Sequence, residues 1–217
     1  MNARRILADQ LGASAAEFAL VLPLLCLLLF GIIDAGRWMW SYNEMEKATQ
    51  TGARVASATQ IIPSGIAGTW VGQTVNGTVL TQGDNIPVSA IGTIACTKAA
   101  TTLSCSCTGV NLVIPSGVTN PASCPGTINS TGWDAILSRM KNIYPEITDA
   151  NVEVDYKASG LGYAGDPDGL NISPLITVRL RGLSFRPLSL LMITSIKALP
   201  AAATTISAED ELGTQSN

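Results

Sequence analysis

The sequence predicts an α+β protein: a long N-terminal helix, apolar in front and amphipathic behind, then an antiparallel β-rich domain with one short helix. Three observations carry this. Phe18 to Ile33 holds sixteen residues without a charge; with Ala13 to Ala16 ahead of it the span reaches about 20 residues, the length of a bilayer-crossing helix. Behind it Trp38, Tyr42, Met45, Thr49, Gly52 and Ala56 recur at steps of four and three, one face of a continuing helix. Asn151 to Lys157 and Leu175 to Leu180 alternate apolar with polar residues, the period of strands with one wet face.

Taken in order, residues 1–12 are too short and too polar to fold and read as a leader. Residues 13–60 form the helix, ended by Pro63-Ser64-Gly65, which disfavours continuation. Pro23 lies inside the apolar half, where it bends the helix locally and is tolerated in lipid. Trp38 and Trp40 suit an interfacial position. The stripe behind them reads equally as core packing and as a partner surface.

Residues 61–208 form the second domain, whose first part, 61–132, has only Asp84 and Lys98 as charges. Thr, Gly, Ser and Val dominate it, and a disordered linker carries more charge and fewer β-branched residues. Runs such as Thr74–Val79 and Val110–Ile114 suggest short strands between loops, with little apolar surface to bury. In residues 133–208, Trp133, Ile136, Leu137, Met140 and Ile143/Tyr144 mark a helix stopped by Pro145. The two alternating strands follow as an antiparallel pair. Leu188–Ile196 is apolar but cut short by Lys197 and Pro200, so it reads as buried helix or strand. Ala201–Ala208 is a last strand, and 209–217 a polar tail.

Four of the five cysteines, Cys96, Cys105, Cys107 and Cys124, fall in the second domain, as disulfides of an oxidising compartment would. Cys105 and Cys107 are too close to bridge without strain, which gives them Cys96 and Cys124 as separate partners. Zinc is the rival reading, and neither a CxxC pair nor a histidine is present to help it. A formal net charge of −3 offers no broad basic face, so nucleic acid is not expected as a partner. The lack of histidine removes the commonest general base; no cofactor is expected.

Arg4 and Arg5 ahead of the span favour an N-terminus in the cytoplasm and a second domain outside the membrane. Cleavage by an ordinary signal peptidase fits poorly, because Ile33 or Asp34 would occupy the position three before the cut. Leu25 before Cys26 does not suit lipid attachment, so Cys26 is read as a small apolar residue.

The front of the helix is unusual in one respect: Glu17 stands at the lip of the span, where an unpaired charge is costly. The bland reading is a headgroup-level acid beside the helix dipole. Its neighbours favour a sharper one. The stretch Gly12-Ala13-Ser14-Ala15-Ala16-Glu17-Phe18, together with Phe30-Gly31-Ile32-Ile33-Asp34-Ala35-Gly36-Arg37, resembles the start of TadE-like pseudopilins. The resemblance is tight over Gly12–Arg37 and does not extend to the Thr/Gly-rich middle. It implies a structural, non-enzymatic component of tight-adherence (Flp-type) pilus assembly in a bacterial inner membrane. A prepilin peptidase would cut between Gly12 and Ala13, with Glu17 and Phe18 in recognition and Glu17 paired to a subunit amine. Other pseudopilins, the major pilin and the assembly machinery are the implied partners.

Two other readings accompany it. An uncleaved single-pass anchored binding or adhesin protein would keep residues 1–12, and an anchored enzyme would gather carboxylates such as Asp155, Asp166 and Asp168. The last two, in Gly165-Asp166-Pro167-Asp168-Gly169, are weak calcium candidates without the full EF-hand set; a solvated turn is the simpler expectation. Arg179, Arg181 and Arg186 form a small basic group, suited to an acidic partner or to nothing more than a wet sheet face. Asn76, Asn129 and Asn171 head N-x-S/T triplets, a pattern that is incidental in a bacterium.

Overall fold

The computed structural model describes residues 10–109, 126–166, 171–188 and 197–209, with side chains from Ser14 onward. Helix α1 runs Gln10–Ser57 over 48 residues and is long and apolar enough to cross a membrane. Its end is closed by its own polar side chains: Ser57 Oγ donates to the Arg54 carbonyl at 2.9 Å and Thr59 Oγ1 to that of Val55 at 2.8 Å. The Arg54 carbonyl is one that the last turn leaves open, and the Val55 carbonyl also accepts the Ala58 N–H at 3.2 Å. The chain forms two compact units: α1 as far as Tyr42 together with the segment Ser184–Ala198, and the remainder from Asn43.

In the first unit, strands β7 (Ser184–Phe185) and β8 (Lys197–Ala198) pair antiparallel (β1 to β6 lie in the second unit). Asp34, only 6% exposed, accepts the Leu188 N–H at 2.8 Å and the Arg37 guanidinium at 3.3 Å. Arg37 also donates to the Arg186 carbonyl at 3.5 Å and lies 5.3 Å over the Phe185 ring. Trp38 stacks on Tyr42, centroids 6.0 Å apart. Leu188, expected to be buried, is exposed, with its amide N–H held by Asp34 at the end of the span. Residues 189–196 lie outside the described residues.

The second unit is built on a five-stranded antiparallel sheet of order β4-β3-β5-β6-β9: β3 Thr93–Ala99, β4 Thr102–Thr108, β5 Val152–Lys157, β6 Leu175–Leu180 and β9 Ala202–Ser207. Register places Ile94 opposite Tyr156, Val154 opposite Val178 and Ile176 opposite Ile206, so these residues share the core face. The rear of α1 and helix α2 (Ser130–Lys141) supply the other side of the core. Met45, Ala48, Thr49, Ala53 and Ala56 are buried, and a Cβ added at Gly52 would meet Met140 at 2.7 Å and Val178 at 3.3 Å. Thr49 and Thr204 share a 2.9 Å hydroxyl bond. From Met45 onward the stripe is core.

Helix α2 starts three residues before Trp133. Asn129 caps it, accepting the N–H groups of Thr131 at 3.0 Å and Gly132 at 3.4 Å, which Ser, Thr, Asp and Asn do at helix starts. Gly132 is required by packing, since a Cβ there would fall 2.3 Å from the Gln60 carbonyl oxygen.

The residues from Ile61 on bury more than their composition suggests. Ile61, Ile62, Ile66, Trp70, Val75, Ile86 and Ile91 are all at or below 2% exposed; they are spread singly among Gly, Ser and Thr, so no periodic window reveals them. A two-residue hairpin joins β1 (Thr74–Val75) to β2 (Thr78–Val79), with φ of 52° at Asn76 and 79° at Gly77. Both central residues of a type I′ turn need that sign, which is why Asn-Gly is favoured. Val110–Ile114 lies outside the described residues.

Cys96 and Cys105 form a disulfide across the β3–β4 hairpin, where they stand opposite each other. Cys107 is disulfide-bonded as well; Cys124 lies outside the described residues. Replacing Cys96 and Cys105 together by serine is expected to cost about 2–3 kcal/mol, the entropy of opening a loop of this length in the unfolded chain. Urea midpoints of variant and parent should differ under oxidising conditions and converge after reduction of both.

Candidate functional site

Gly12 and Ala13 fall in the first turns of α1, and Glu17 and Phe18 one turn further on. Residues four apart share a helix face, so Glu17 stands above Ala13, about 6 Å along the axis. Both Glu17 and Phe18 are exposed. The apolar residues beyond them are exposed as well: Leu20, Leu24, Leu28 and Ile32 show 64–79% of their surface. A helix apolar on all sides and left largely exposed by the described residues suits lipid or other helices. Pro23 has no N–H for the Ala19 carbonyl, which leaves an acceptor that lipid cannot satisfy and a neighbouring donor can. Cys26 is a free thiol in this stretch.

The outer face of the sheet carries the second cluster. Arg179 lies 3.5 Å from Glu153 Oε1 and 3.3 Å from Asp155 Oδ2, and Arg181 is paired with Glu153 Oε2. Arg179 and Arg181 are therefore committed to internal ion pairs instead of forming a free basic group with Arg186, which belongs to the hairpin of the first unit. Burial, and then the charge of Glu153, push Asp155 above its ordinary value against the pull of Arg179. Asp166 is exposed, after Gly165, whose N–H is held by Asn171 Oδ1 at 2.6 Å; Asp168 lies outside the described residues. No group of three or more metal-ligating side chains occurs among the described residues.

All three asparagines of the N-x-S/T triplets have structural work. Asn129 caps α2 and donates to Gln60 at 2.7 Å, Asn171 also reaches the Gly68 carbonyl at 3.0 Å, and Asn76 both turns the hairpin and donates to Ser89 at 2.8 Å.

A third cluster was not anticipated. Lys98 Nζ lies 3.1 Å from Asp149 and 3.4 Å from Asp134, and the Trp133 indole N–H donates to Asp149 at 2.9 Å. Burial alone would raise Asp149, but the Trp133 and Lys98 hydrogen bonds outweigh it and hold the carboxyl below its ordinary 3.8. A depressed carboxylate contributes stability above its unfolded value and loses it as pH falls through the folded one. Asp155, shifted the other way, favours the fold in its protonated form. Below about pH 4 the Asp149→Asn variant should therefore lose less stability than the parent, and Asp155→Asn should lose more, when urea midpoints are followed against pH.

The comparison with known families addresses the front of α1. Residues 12–54 match the family model described as TadE-like protein. The match begins on Gly12 and runs through the exposed apolar half of α1 into the half that packs on the sheet, about a fifth of the chain. No curated protein and no solved structure matches the chain. The TadE-like match connects the N-terminal helix with Tad pilus assembly, and the apolar length of α1 fits a membrane-anchored component of such a system.

Proposed function

We propose that the protein is a TadE-like pseudopilin, a structural and non-catalytic component of tight-adherence pilus assembly. The observation that carries the reading is the TadE-like match from Gly12 to Arg54, laid along a helix whose apolar front has no residue buried among those described. The precursor is inserted with residues 1–12 in the cytoplasm, and a prepilin peptidase cuts between Gly12 and Ala13. Gly12 suits that cut physically. A glycine weakens a helix by about 1 kcal/mol relative to alanine, and the first turn lacks a full set of internal hydrogen bonds, so this is the easiest part of α1 to unwind in a peptidase.

The new Ala13 amine then lies within one turn of Glu17 on its own chain and is equally available to Glu17 of a neighbour. Other pseudopilins, the major pilin and the inner-membrane assembly machinery are the partners, met through α1 and the periplasmic sheet domain. The pairing of Glu153 and Asp155 with Arg179 and Arg181 favours a scaffold over a reactive acid for that face.

The test is the N-terminal residue of the mature chain, by intact mass and terminal peptide sequencing, from cells with and without the prepilin peptidase. A chain that begins at Ala13 only when the peptidase is present is expected. A chain that retains Arg4 and Arg5 in both would favour the uncleaved anchored binding protein.

A further inference from the structure

The first charge after the apolar run is Asp34, and it is spent on the hairpin. Its carboxylate holds the Leu188 N–H at 2.8 Å, and Arg37, one turn on, holds the Arg186 carbonyl and covers Phe185. With a rise of about 1.5 Å per residue, whatever is bonded to Asp34 stands at the level where the span ends. Leu188 is nevertheless 55% exposed, and Trp38 and Trp40 at the same end of the helix are 37% and 69% exposed. Arg186, beside Leu188, is exposed too. Exposed aromatic and aliphatic side chains beside a cation, at the end of a span, are what a membrane–water interface accommodates. In sequence, Leu188 also opens an uncharged stretch that runs to Ile196.

We infer that the β7–β8 hairpin is a second membrane contact, fixed at the outer end of α1 by the Asp34–Arg37 clasp, with Leu188 seated among lipid headgroups and Arg186 on anionic lipid phosphate. The inference rests on α1 spanning the membrane. A single helix is free to tilt and spin in the bilayer; a second contact at a fixed place on that helix restricts both. The lipid surface is favoured over a second protein copy because the hairpin's attachment continues directly from the lipid-facing part of α1.

The full chain in vesicles of phosphatidylethanolamine and phosphatidylglycerol tests this with one environment-sensitive fluorophore at a time. The label goes on native Cys26, or on Leu188→Cys or Leu161→Cys in a Cys26→Ala background; Leu161 is an exposed loop residue of the sheet domain. The label at 188 is expected to emit to the blue of that at 161, to be quenched by lipid carrying a shallow spin label, and to be protected from aqueous iodide. If Cys26 is protected in the hydrocarbon while 188 behaves like 161, the hairpin inference is overturned and the anchor stands. If iodide reaches Cys26, the anchor reading falls and takes this one with it. A blue shift at 188 that vanishes on dilution of protein into excess lipid would assign the surface to a second copy and also overturn the inference.

Discussion

Trp133→Ala is expected to destabilise the sheet domain by about 4 kcal/mol, a large part of the 5–15 kcal/mol that holds a typical domain together. Trp133 is 1% exposed and sits at the head of α2, where it also donates to Asp149. The alanine variant loses the buried ring, leaves a cavity, and removes the hydrogen bond from Trp133 that helps to hold the Asp149 carboxylate. Trp133→Phe separates these effects: it keeps most of the ring, loses only the N–H, and should cost about 1–2 kcal/mol. Urea unfolding of the full chain in detergent, followed by far-ultraviolet circular dichroism, measures both. Equal costs for the two variants would mean that the hydrogen bond, not the packing, dominates at this position.

Trp133 also illustrates what the sequence disclosed. The apolar face of α2 was legible from its spacing, but its start was not. Asn129 is a cap residue that also heads an N-x-S/T triplet, and Gly132, a poor helix former, obscures the first turn. The sheet divides in the same way. Strands β5 and β6 alternate Val, Ile and Leu with charged residues, so their period is plain. In β3 and β4 the positions on the face of Ile94 are Cys96, Lys98, Leu103, Cys105 and Cys107, and the other face carries Thr, Ala and Ser; Lys98 and the alanines break the pattern in β3, and cysteine against serine is a weaker contrast than valine against a charge. The two-residue spacing of Cys105 and Cys107 both disfavours a bridge between them and puts them on one strand face. Cys105 then meets Cys96 on the neighbouring strand.

The charged clusters were hidden for a different reason. Lys98, Asp134 and Asp149 come from three separate elements, and so do not form a pattern in one dimension. Arg179 and Arg181 looked like a free basic face because their partners, Glu153 and Asp155, lie on the adjacent strand. The site at the front of α1 is the opposite case. Gly12, Ala13, Glu17 and Phe18 lie within seven residues, so the motif is readable at once, and the fold adds the exposure of Glu17 and Phe18 and the shared helix face of Ala13 and Glu17.

Glu17→Ala is expected to reduce assembly by a factor of roughly a hundred to several thousand even among chains that are cleaved after Gly12, as loss of one partner from a buried ion pair typically costs about 3–5 kcal/mol. The sign of the effect on anchoring makes this informative. Removing a carboxylate from the lip of the span makes the helix more lipid-compatible, so the variant should enter the membrane at least as well as the parent. Loss of assembly would then report the missing partner for an Ala13 amine. Terminal sequencing of the membrane fraction checks processing, and co-purification with tagged pilus subunits, together with pili sheared from the cell surface, measures assembly. Glu17→Gln retains the hydrogen-bonding shape without the charge. If charge pairing is the role, it should fail nearly as badly as alanine; if the residue only caps the first turn beside the helix dipole, glutamine should assemble at close to the parental level. Normal assembly of both variants would remove Glu17 from subunit pairing and leave Gly12 as a cleavage determinant alone.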